Sequence, residues 1–230
     1  MREKPKSYQT YWGELKPSVD TFPIFYLVII YGLGIFFPFL IYKDLTLIRL
    51  WSYKEHLSEL FQFIGYFLAA LICFLIIIKN KLALSFKEKI LWLFLGLILF
   101  FIASEEISIL DKIGNGISYL KDANVQNESN LHNLIIYQPF RYLIFVSGCL
   151  LLGFFNWIIW PNNFILPDKK YSLYFLFPAL FSTIHYLSSL STNNMDIPYH
   201  HEIFEFLVST GMFLNCYEKH KKLKLNRRKK

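Results

Sequence analysis

Six stretches of this chain are strongly apolar and close to the thickness of a bilayer, near residues 22–42, 60–78, 90–110, 142–160, 171–190 and 202–217. A helix needs about 20 residues to cross a hydrocarbon core about 30 Å thick. Overall the chain is 54% hydrophobic, above the roughly 45–50% of a soluble domain, and the excess lies in these runs. Ten-residue segments of alternating polarity, the mark of a membrane barrel, do not occur. The sequence therefore predicts an all-α membrane protein. Six transmembrane helices would form one bundle over 1–218, with an interfacial helix, a structured extracytoplasmic loop and a basic cytoplasmic tail over 219–230.

The connections refine this outline. Residues 1–20 are polar and basic, with Tyr8, Tyr11 and Trp12 suited to the headgroup layer. No small-residue cleavage site follows the first apolar run, so no signal peptide is expected. Pro38 should kink the outer end of the first span. Residues 43–59, with Arg49, Trp51 and His56, read as an interfacial helix. The third run is apolar only from Ile90 to Ala103, about 21 Å of helix. It should therefore continue through Ser104, Glu105, Glu106 and Ser108 to about Leu110. Gly114, Asn115 and Gly116 suggest a turn. Asn124–Asn127 suggest another, or a cap for a short helix holding Glu128 and His132. Leu131–Phe140, stopping near Pro139, should be a short helix dipping into the interface. The thiols Cys73, Cys149 and Cys216 fall inside apolar runs and read as small hydrophobes.

Charge assigns the faces. Lys and Arg in the N-terminus, second loop, fourth loop and C-terminus number about four, four, two and eight; the other connections carry about three, three and none. Positively charged connections stay in the cytoplasm, which places both termini there and makes the chain integral to the membrane. The basic charge is concentrated in the tail, which fits anionic lipid and argues against a nucleic-acid surface. The partner expected is membrane lipid.

The same sidedness brings several acids and imidazoles to the outer rim. Glu105 and Glu106 sit at a helix C-terminus, where the helix dipole disfavours carboxylates. That calls for a partner: Arg141, Lys112, a metal or a ligand cation. Glu128 and His132 are four apart and would share a helix face, as divalent ligands or an acid–base pair. His200, His201, Glu202 and Glu205 open the last span. His201 and Glu205 are one turn apart, although acidic residues there also cap a helix. His185 stands on a stripe with Ser182 and Ser189 and equally suits a buried, hydrogen-bonded histidine. The candidate pocket thus comprises Glu105 and Glu106 as catalytic carboxylates and Glu128, His132, His185, His201 and Glu205 as metal ligands. Asn124, Gln126, Asn130, Asn133, Arg141 and Glu202 complete it. The amides could instead tie the loop down by hydrogen bonds to its backbone.

The strings SEEIS (104–108) and NVQNESNLHN (124–133) resemble motifs of a family of uncharacterised bacterial multi-pass membrane proteins. In that family EEIS runs on into a Trp-Gly-Gln-Arg type string; here Ile109, Leu110, Asp111 and Lys112 follow instead. The second string matches at Asn124, Gln126, Glu128, Asn130, Leu131, His132 and Asn133. The resemblance covers about thirty residues of the loop. It implies that these polar residues belong together and carries no activity with it.

The functional expectation is an outward-facing Glu/His/Asn pocket that binds zinc or another divalent metal and acts on a lipid or lipid-linked substrate. As an enzyme it would be a metal-dependent membrane hydrolase or transferase. The alternatives are a non-catalytic membrane assembly or anchoring subunit and a transporter. A transporter would carry its ionisable groups nearer the bilayer midplane.

Overall fold

The computed structural model describes residues 8–10, 13–15, 22–36, 57–80, 83–109, 111, 117–124, 129–131, 134, 136, 138–159, 165–192 and 199–228. Among the described residues the protein is helical apart from a short antiparallel hairpin of β1 (Tyr8–Thr10) and β2 (Gly13–Leu15). The helices are α1 (Phe22–Phe36), α2 (Leu57–Lys79), α3 (Phe86–Glu106), α4 (Ser118–Asp122), α5 (Gln138–Leu150), α6 (Asn156–Ile159), α7 (Leu173–Thr192) and α8 (Tyr199–Arg228). A π-helical turn, Leu151–Phe155, joins α5 to α6. By length and composition, Ser58–Lys79 is long and apolar enough to cross a membrane. Shorter apolar helical stretches occupy Phe140–Phe155 and Leu173–Ile184.

The packing order is α3–α2–α8–α7–α5, and named contacts fix the directions. Phe61 meets Phe206, Gly65 meets Ser209 and Cys73 meets Cys216, so α2 and α8 run parallel. Phe67 meets Phe100 and Gly96 abuts Cys73 and Phe74, so α3 runs against α2. Phe181 stacks on Phe204 while Tyr174 lies against Gly211, so α7 opposes α8. Tyr142 packs on Tyr186 while Gly153 abuts Phe175, so α5 opposes α7. The long helices therefore alternate in direction along the chain.

Small residues mark the seams. The buried face of α3 is Trp92, Gly96, Leu99 and Ala103, spaced by three and four so that they share one side of the helix. Gly96 on that face lies against Cys73 and Phe74 of α2, where Ala69, Ala70 and Cys73 are all fully buried. A Cβ on Gly211 would come within 2.6 Å of Tyr174 Cβ, so that crossing requires glycine. The outer faces are apolar: Phe94, Leu97 and Phe101 of α3 and Leu143 and Ile144 of α5 are all exposed. Soluble monomers rarely present apolar patches of this extent.

Local signals explain the helix boundaries. Ser85 and Glu88 form a capping box at the start of α3, with Ser85 N–H donating to Glu88 Oε2 at 2.6 Å and Glu88 N–H to Ser85 Oγ at 3.3 Å. Asn80 Nδ2 donates to Ile76 O at the end of α2. The third helix does not continue to Leu110: it ends at Glu106, with Ile107 as cap and Ser108 at φ 45°, where an L-residue is strained. Of the short helix expected over Leu131–Phe140, residues 132, 133, 135 and 137 lie outside the described residues. Leu134 bridges Asn124, and an α-helix begins at Gln138, with Pro139 in its first turn, where its missing N–H costs little. The last helix does not stop before the basic tail but runs on to Arg228. The interfacial helix expected within 43–59 falls outside the described residues up to 56, as do the Pro38 kink and the turn at Gly114–Gly116.

Candidate functional site

The end of the bundle that carries the α3 C-terminus is organised by one segment folding back on another. Glu105 Oε2 accepts the Leu131 N–H at 2.5 Å. Asn130 Nδ2 donates to Ser108 Oγ at 3.0 Å, and Ser129 N–H donates to Asp111 Oδ2 at 2.8 Å. As one segment advances through 105, 108 and 111, its partner recedes through 131, 130 and 129. Asn124 Nδ2 closes the inner side, donating to Asn130 Oδ1 at 2.7 Å and Asn130 O at 2.9 Å. Ser129 Oγ accepts the Ile117 N–H, and Lys121 pairs with Asp111 at 2.9 Å. The Ser129 amide and Lys121 hold the Asp111 carboxyl below its ordinary value. Asn124, Ser129 and Asn130 are buried. They stay polar because each is bonded.

Beneath this fold-back lies a cavity of about 530 Å³, within the usual range for small-molecule sites. Its walls come from α2, α3, α5 and α8, with Leu131 from the loop at its edge. Phe101, Ile102, Ile144, Phe145, Leu152 and Val208 make the body apolar, and the polar groups are Tyr66, Glu105, Glu106, Arg141 and Glu205. Phe101 and Ile144 are 51% and 63% exposed, so the cavity is flanked by open apolar surface on α3 and α5, the two ends of the packing order. Gly148 lines it too, and a Cβ there would meet no atom within 4 Å. The π turn that follows carries Leu152 into the lining while seating Gly153 against α7; such turns interrupt helices at functional sites.

Four residues expected at the outer rim thus line one cavity: Glu105, Glu106, Arg141 and Glu205. Arg141 Nη2 stands 4.0 Å from Glu205 Oε1, an ion pair at the limit of contact. Glu106 and Glu205 both lie within electrostatic reach of Tyr66. Asn124 and Asn130 take no part in the lining; they fasten the loop to itself and to Ser108. Gln126, Glu128, His132 and Asn133 lie outside the described residues, and so do the side chains of His185, His201 and Glu202, although their backbones belong to α7 and α8. Among the described residues no three His, Cys, Asp or Glu side chains come together to hold a metal ion. Of the expected metal set Glu205 is the one member with a described side chain, and it faces Arg141.

Sequence reasoning missed Tyr66, Gly148 and Leu152 as lining residues, and it missed the opposite end of the bundle. There Lys219 of α8 is buried, pairs with Asp168 at 3.1 Å and donates to Leu166 O at 2.8 Å. Asn215 Nδ2 donates to Ile165 O, and Asn156 Nδ2 to Pro167 O. Burial works to raise the Glu218 carboxyl, but Lys170, Tyr171 and Lys222 override it and hold the group at about 2. The signal available was the coincidence of Asp168, Lys169 and Lys170 with a basic tail on one predicted face.

Compared with family models, with curated proteins and with solved structures, the chain finds no match.

Proposed function

We propose that this chain is an integral, multi-pass membrane protein of a bacterial inner membrane, and that its outward cavity takes up an amphiphile, a lipid or lipid-linked molecule. The reading is carried by the composition of the cavity: apolar walls continuous with the exposed surface of α3 and α5, and ionisable groups gathered at the fold-back. An acyl chain suits the first and a polar headgroup the second. In this reading the chain makes six spans with cytoplasmic termini. The alternating helix directions put the fold-back at the end opposite the Lys-rich continuation of α8, and basic segments stay inside. Glu105, Glu106 and Glu205 are the carboxylates that line the cavity where a headgroup would sit.

Metal-dependent chemistry on that substrate is a further step in the same proposal. Its ligands would have to come from Glu128, His132, His185 and His201 together with the lining carboxylates. Metal analysis of the purified protein tests that step separately: absence of zinc or any other divalent ion would remove the metal-dependent chemistry and leave the binding pocket. The pocket itself is tested by Gly148→Trp, which would fill the cavity. Lipid co-purifying with the variant, measured by mass spectrometry, should fall well below the wild-type ratio. An unchanged ratio, with the variant folded, removes the proposal.

A further inference from the structure

We infer that Cys73 and Cys216 form a dithiol oxidation site, at which a small uncharged hydroperoxide joins the two sulfurs in a disulfide between α2 and α8. The inference uses neither the cavity nor the identity of an amphiphile, so it stands or falls apart from the reading above.

The two residues are 143 positions apart in sequence, yet their Sγ atoms lie 3.8 Å apart, one S–H donating to the other sulfur. Both are free thiols and both are fully buried. Helix packing brings them together. Gly65, Ala69 and Cys73 follow one another at four-residue steps along α2 and so share a face. Two turns before the cysteines, a Cβ on Gly65 would lie 3.1 Å from Ser209 Cβ. A disulfide spans about 3.5–4.5 Å between Cβ atoms, so at that crossing the parallel helices already approach as closely as the bond demands. Closing the 3.8 Å gap to a bond of about 2.05 Å moves each sulfur by roughly 0.9 Å, which side-chain rotation can supply. Cys149, the third thiol, belongs to α5 and lines the cavity instead.

The step balances without a cofactor. One sulfur attacks the peroxide, the O–O bond breaks, and a sulfenic acid forms as an alcohol leaves. The second sulfur attacks the first, and the sulfenic hydroxyl departs as water. Two thiols thus give up two electrons and two protons, and the hydroperoxide is reduced to an alcohol and water. A charged oxidant would have to shed its hydration to reach this seam, which is costly; an uncharged one would not. The product ties together two of the helices that wall the cavity.

The test needs no mutation. The reduced full-length protein in detergent is treated with tert-butyl hydroperoxide, denatured, blocked with maleimide and digested without reductant. At least two of the three thiols per chain should be lost to titration. Mass spectrometry should find the Cys73 and Cys216 peptides joined within one chain and lighter by two hydrogens, and dithiothreitol should release them. Because the link closes a long loop, the oxidised protein should melt several degrees higher, reversibly with dithiothreitol. Cys73→Ser should yield no such linked peptide. Three titratable thiols after treatment, thiol loss without the 73–216 link, or a link between two chains would overturn the assignment.

Discussion

Asn130 reaches back twenty-two positions to donate its amide to Ser108 Oγ at 3.0 Å. Ser108 occupies the left-handed region at φ 45°, a conformation that costs on the order of 1 kcal/mol or more in a residue other than glycine. The hydrogen bond falls where the chain reverses out of α3. Around it, Glu105, Asp111 and Asn124 each hold part of the 129–131 segment. A helix end that is electrostatically poor for carboxylates is thereby turned into an acceptor for backbone N–H groups.

Asn130→Ala should therefore release the fold-back rather than unfold the bundle. It removes the Asn130 Oδ1 that accepts from Asn124 Nδ2 and the Asn130 Nδ2 that donates to Ser108 Oγ, while Asn130 O still accepts from Asn124; the loss is about 1–3 kcal/mol. Hydrogen exchange should show the amides of Ile117, Ser129 and Leu131 opening, with α2 and α8 still protected. Unchanged exchange at those three amides would sink this account of the loop.

Glycines at the seams and in the cavity should respond in opposite ways. Gly211→Val drives a branched side chain into Tyr174, 2.6 Å from the new Cβ, and should lower stability by about 1–3 kcal/mol or more. Gly148→Leu grows into empty space and should leave the melting temperature within a few degrees of wild type. Thermal melts in the same detergent compare the two directly. A destabilised Gly148 variant beside a tolerant Gly211 variant would contradict the packing described.

Acid should loosen the opposite end of the bundle. Glu218 has a folded value of about 2 against an ordinary 4.5. A depressed carboxylate contributes its stability above the unfolded value and loses it as pH falls through the folded one. The contribution is therefore complete above about pH 5 and disappears between roughly 4.5 and 2. It amounts to about 2–3 kcal/mol at neutral pH. Glu218→Gln should flatten this part of the stability–pH profile and lower the neutral plateau. A variant profile parallel to wild type down to pH 2 would show that Lys170, Tyr171 and Lys222 do not act through this group.

The three cysteines should be silent to water-soluble thiol reagents in the folded protein. All are buried and free, and Cys73 Sγ and Cys216 Sγ lie 3.8 Å apart, well beyond the roughly 2.05 Å of a disulfide. Maleimide labelling should appear only on denaturation and reach three thiols per chain. Rapid labelling of Cys73 or Cys216 in the native state would mean that the seam between α2 and α8 opens.

Much of the outline can be read before any coordinates. Hydropathy marks where the long helices lie because each is apolar enough to need burial or lipid whatever its neighbours are. The capping box at Ser85 and Glu88 is a local pattern of two side chains and two backbone groups. The gathering of Glu105, Glu106, Arg141 and Glu205 near one end follows from chain reversal, since residues at the same depth of alternating helices share a rim. Helix ends were harder to read. The end of α3 at Glu106 depends on the pull of Leu131 and Asn130, which are remote in sequence.

Amino-acid order alone determined which segments are helical and apolar, and in which direction each follows the last, because those properties come from side chains within one turn of each other and from connectivity. Tertiary structure decided which faces pair and what the polar residues do. On helices that are greasy all round, no periodicity separates an inward face from an outward one; close approach at Gly65, Gly96 and Gly211 makes that choice. Only the fold shows that Asn124 and Asn130 fasten a loop while Glu106, Arg141 and Glu205 line a cavity, because a polar side chain takes its role from whichever group lies within three or four ångströms of it.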